Sequence, residues 1–120
     1  AFFGLAYKAD APFTHTSPAY QIARALAARR VDVAVFATSS EEAEAARAVN
    51  VLLAHWPAAA GRHRALVLPV ADAATRGLAM EALSRYQLVL DNEGALAVRP
   101  PGVDYRWPGE PGWLDPPRAR

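Results

Sequence analysis

The chain has 120 residues, among them 28 Ala, 12 Arg, one Lys, 10 Pro, three Trp and no Cys, and its 13 basic and 12 acidic side chains give a formal charge of +1. One domain is the expectation at this length, and scattered, nearly balanced charge excludes a broad footprint for nucleic acid or anionic lipid. The missing cysteines exclude disulfides, thiolate zinc sites and a cysteine nucleophile, and no apolar run approaches the ~20 residues that span a bilayer.

Residues 2–7 (FFGLAY) read as a short buried strand entered at the first residue, as in a fragment cut from a longer polypeptide, with no basic n-region of a signal peptide. Ser17 followed by Pro18 is an N-cap with proline at the first helical position. The helix it opens carries an apolar stripe of Ile22, Ala23, Leu26 and Ala27. Residues 31–37 (VDVAVFA) read as a second strand rich in β-branched side chains. Ser39 and Ser40 before Glu41 and Glu42 form a capping-box pattern, favourable to the dipole of a helix expected to end near His55, Trp56 and Pro57.

Residues 65–70 (ALVLPV) read as a third strand, and Pro69, with no N–H for the ladder, points to either the end of a strand or an edge strand. Asp72 then caps a third helix with Leu78, Ala79, Ala82, Leu83 and Tyr86 on its buried face. Residues 87–91 (QLVLD) are a fourth strand. Residues 95–98 are either a fifth or the return strand of a hairpin closed on Asn92, Glu93 and Gly94. The tail from residue 100 to 120 holds six of the ten Pro and two of the three Trp, so it is not expected to form regular structure and is expected to fold back over the sheet. The domain plan is therefore 1–99 and 100–120. Alternation of strand and helix predicts an α/β, Rossmann-like three-layer domain, with a mostly parallel sheet and helices on both faces.

The connection from first strand to first helix has no glycine after Gly4, which argues against a self-sufficient dinucleotide site. It nevertheless leaves the carboxyl end of a strand and enters a helix N-terminus, where anions bind. Lys8 lies on it, the one lysine in a chain that uses arginine everywhere else, and it suits a compact charge aimed at a phosphate. His15, His55 and His63 lack ligand spacing, so no metal site is expected. No nucleophile elbow is present, and no catalytic residue is assigned.

The run of residues 4–10 (GLAYKAD), then Ser17, Pro18 and Ala19, a helix, and residues 31–36 (VDVAVF) resemble the start of the C-terminal domain of the UDP-glucose/GDP-mannose dehydrogenase family, closest to its UDP-N-acetylhexosamine branch. The resemblance implies a Rossmann-like domain that binds the nucleotide of a UDP-sugar. It implies Tyr7 packing on the ligand, Lys8 on the diphosphate, and His15 and Ser17 at the same site. It also implies a cytoplasmic oxidoreductase of polysaccharide biosynthesis that oxidises a sugar C6 alcohol to a carboxylate. NAD would be held mainly by an N-terminal domain, in cis or in trans, and the domain would be able to form a homodimer. Nucleic acid and membrane are not expected partners.

The chain has no cysteine for the family's thiohemiacetal, so alone it would bind and not catalyse. Where the family reads Thr-Asp-Asp-x-Arg-Glu the chain has Ala11, Pro12, Phe13, Thr14, His15 and Thr16, with His15 in place of an arginine. These losses point to the competing expectation, a degenerate non-catalytic α/β interaction or structural module.

Overall fold

A computed structural model describes residues 1–8 and 11–116. Ala9 and Asp10, which close the 4–10 run, and the last four residues of the tail lie outside the described residues. Among the described residues six strands form one all-parallel sheet in the order β3-β2-β1-β4-β5-β6. They are β1 (Phe2–Phe3), β2 (Ala34–Phe36), β3 (Leu52–Leu53), β4 (Ala65–Leu68), β5 (Leu88–Asp91) and β6 (Asp104–Arg106). The helices are α1 (Pro18–Ala28), α2 (Ser40–Ala48), α3 (Ala73–Arg76) and α4 (Met80–Leu83). The expected α/β, Rossmann-like architecture is the one observed.

The sheet separates two cores. Successive side chains on a strand point to opposite faces, so Phe2 and Val35 join α1 and α2 on one side, with Ala19, Tyr20, Ala23, Ala45 and Ala46. Phe3, Phe36, Leu66, Leu68 and Val89 join Leu78, Ala82, Leu83 and Tyr86 on the other. The alanines that dominate the helices let them sit close to the strands at little cost in side-chain entropy.

Several boundaries differ from the sequence expectation. The ladder of β1 ends at Phe3 because Gly4 takes φ +78 and turns the chain, its N–H donating to the Phe36 carbonyl at 3.0 Å. Helix α2 stops at Ala48 and does not run on to His55, Trp56 and Pro57. Asn50 adopts φ 62, the left-handed conformation that asparagine tolerates after a helix, and the apolar pair behind it becomes β3. The third helix divides at Gly77 into α3 and α4. On α1 the buried face is Ala19, Tyr20 and Ala23, while Ile22 is 53% exposed.

Residues 95–98 form neither a fifth strand nor a hairpin. The buried Asp91 carboxylate accepts the N–H groups of Ala95 (2.8 Å) and Leu96 (2.9 Å) and so ties that loop down. The next strand comes instead from the tail. β6 pairs parallel to β5, and the Tyr105 hydroxyl donates to the same Asp91 at 2.7 Å. The expectation that the tail forms no regular structure is thus overturned by β6, and Trp107 beside it packs against the second core.

Candidate functional site

The strand order reverses between β1 and β4, and at such a point the crossovers leave in opposite directions and open a crevice beyond the carboxyl ends of the strands. Two hollows adjoin there, with Ala6 lining both.

The first is an apolar groove of about 220 Å³. Phe2, Val67 and Leu90 of the central strands contribute to its lining, with Pro18 and Ile22 from α1, Tyr7 from the β1 exit and Trp113 from the tail. Tyr7 (52%), Ile22 (53%) and Trp113 (37%) are three of the seven exposed large apolar side chains among the described residues, and all three line this one hollow. The second is a larger crevice of about 500 Å³, lined by Lys8, Pro12, Thr38, Ser39, Glu41 and Asp72 among others. Lys8 extends over the neighbouring Tyr7, its Nζ 5.6 Å from the ring centroid, within the range of a cation–π contact.

A buried carboxylate fixes the crevice. Glu42 accepts the Leu5 N–H at 2.9 Å, the Thr38 N–H at 2.8 Å and the Thr38 hydroxyl at 3.0 Å. It thereby joins the β1 exit to the start of α2, whose cap Ser39 accepts the Glu42 N–H at 3.2 Å. From sequence, Glu42 reads as one of several carboxylates favouring the helix dipole. Its place in the capping-box pattern was the available signal, since a glutamate three residues after the cap is the one that reaches back.

The four residues expected from sequence at the site divide. Tyr7 and Lys8 lie at the junction of groove and crevice. Ser17 lines neither hollow: it is buried, and its hydroxyl donates to the Leu5 carbonyl, fixing the start of α1 to the β1 exit. His15 is exposed and also lines neither, its ring edge-on to Phe13 (5.4 Å) and Tyr20 (5.3 Å). Ile22, Ser39 and Trp113, which sequence reasoning did not place at a site, are brought there by the fold.

The connection from β1 to α1 carries no glycine after Gly4, and the Leu5 N–H is already engaged by Glu42, so it lacks the glycine-rich turn on which a dinucleotide pyrophosphate rests. Among the described residues no cluster of three His, Cys, Asp or Glu is placed to hold a metal ion, and no helix is long and apolar enough to cross a membrane. Compared with protein-family models, curated proteins and solved structures, the chain finds no match.

Proposed function

We propose that this chain is the nucleotide-sugar-binding domain of an NAD-dependent UDP-sugar 6-dehydrogenase, binding substrate for a separate domain that supplies NAD and the thiol. The observation that carries the reading is the junction of an apolar groove and a polar crevice at Ala6, Tyr7 and Lys8, beyond the carboxyl ends of the central strands. A ligand with an aromatic ring, a charged middle and a hydroxyl-rich end matches that sequence of surfaces. Tyr7 offers a face to pack on, the Lys8 ammonium a point charge for the diphosphate, and Ser39 and Glu41 hydrogen-bonding groups for sugar hydroxyls. His15 and Ser17 act on the ligand only through the loop and helix start they hold in place. The chain makes no hydride transfer of its own.

The acid balance of the crevice favours a second reading, a module that has kept the scaffold and lost the ligand: Glu41 and Asp72 face the same space as one lysine. Melting-temperature titrations of the full chain with UDP, UDP-N-acetylglucosamine, GDP and NAD separate the two. Saturable stabilisation by uridine nucleotides, reaching about 2.7 kcal/mol at a hundredfold excess over Kd and lost in Lys8→Ala, supports substrate binding. Silence toward every nucleotide leaves the module.

A further inference from the structure

We infer that the tail completes the binding site: Trp113 forms one wall of a slot for a planar aromatic ring, the base end of the nucleotide, and Arg106 is the positioning residue that sets this wall. The inference rests on the nucleotide-sugar reading for the identity of the ligand and extends it to a part of the chain outside the family resemblance.

Three observations carry it. Exposed apolar side chains scattered singly over a surface need no explanation, whereas a convergent group does. Tyr7, Ile22 and Trp113 come from a loop, a helix and the tail and meet on one hollow. At about 220 Å³ that hollow is smaller than the ~300 Å³ from which pockets for whole drug-sized ligands begin, so it suits one ring system with the rest of the ligand outside. The groove also has an outlet, since Ala6 lines both hollows and Lys8 follows Tyr7 directly, placing the charged part of such a ligand beside the ammonium.

The third observation is the way the tail is held. The Arg106 side chain is 12% exposed, and its Nη2 lies 3.1 Å from Asp104. The same guanidinium donates to the carbonyls of Trp113 (3.2 Å), Asp115 and Pro116 (2.9 Å). Three backbone carbonyls converging on one rigid fork of donors fix the path of the segment. Trp56 and Trp107 pack against the core, so Trp113 is the tryptophan that fronts the groove.

The test uses the full chain with uridine, adenosine, UDP and inorganic pyrophosphate, followed by tryptophan fluorescence and calorimetry. Uridine is expected to quench Trp113 fluorescence in the wild type. Trp113→Ala should weaken uridine by about tenfold or more, the loss typical of removing a stacking partner, and Trp113→Phe by no more than a few fold. Arg106→Lys keeps the charge beside Asp104 but loses the fork, and should weaken uridine as Trp113→Ala does. Pyrophosphate affinity is the internal reference that general unfolding would also lower. Uridine bound equally by wild type and Trp113→Ala overturns the slot, as does failure of both nucleosides to bind the wild type at millimolar concentration. UDP binding lost in Lys8→Ala but kept in Trp113→Ala overturns the slot and keeps the nucleotide-sugar reading. Uridine binding that needs Trp113, with UDP no tighter than uridine, keeps the slot and overturns that reading.

Discussion

Glu42 and Asp91 do the same work at two places: each is a buried carboxylate that gathers donors from separate segments. Replacing Glu42 by Ala leaves two backbone N–H groups without their acceptor, and urea unfolding should show a loss of about 3 kcal/mol. Glu42→Gln, which keeps one acceptor oxygen, should lose less. At the other site Tyr105→Phe removes one of three donors to Asp91, for an expected loss of about 2 kcal/mol. Burial, and then the hydrogen bond to Asp91, push the Tyr105 phenol well above its ordinary value of 10.0. The unfolded chain therefore releases this proton first as the solution becomes alkaline. The stabilisation is complete below pH 10 and declines as pH rises above it. Melting curves between pH 8 and 11 should fall more steeply for the wild type than for Tyr105→Phe above pH 10.

Among the elements, those with chemical punctuation were legible and those defined by tertiary pairing were not. Ser17 with Pro18, and Ser39 ahead of its glutamates, mark the starts of α1 and α2 at the right residues. Strand β3 escaped because two leucines after an alanine-rich helix look like more helix, and only the parallel ladder to Ala34 and Val35 makes them a strand. Strand β6 escaped because proline and glycine surround it, and its place depends on a carboxylate 14 residues away. The junction of groove and crevice was half legible: Tyr7 and Lys8 lie on one segment, but Ile22, Ser39 and Trp113 join them only once the sheet is assembled. The loop between β5 and β6 yields its own prediction. Gly94 has φ +67, and a Cβ there would lie 2.8 Å from the Trp107 ring. Gly94→Ala should lose about 2 to 3 kcal/mol in urea unfolding, from the left-handed backbone and the displaced ring together.

At the scale of the whole molecule, one sheet is shared by two cores, each with its own helices. Neither core can melt while the other keeps the strands in place, so unfolding should be a single cooperative step. Leu83→Ala, at a fully buried position, should lower stability by about 2 to 5 kcal/mol, with near- and far-ultraviolet dichroism changing together. Separate transitions for the two signals would show that the cores are independent. The sheet's outer boundary also depends on very little chain. Among the described residues the strand that pairs along this flank of β5 is three residues long, Asp104–Arg106, and the turn leading to it at Pro101 and Gly102 is exposed. A nick at that turn would free the segment and leave Leu88–Asp91 with a row of unpaired amides and carbonyls, a template on which a second chain can add a strand. The tail thus has a role apart from any ligand, because it gives the sheet a three-residue edge in place of the four-residue flank of β5, and a shorter edge offers a poorer template to the next molecule.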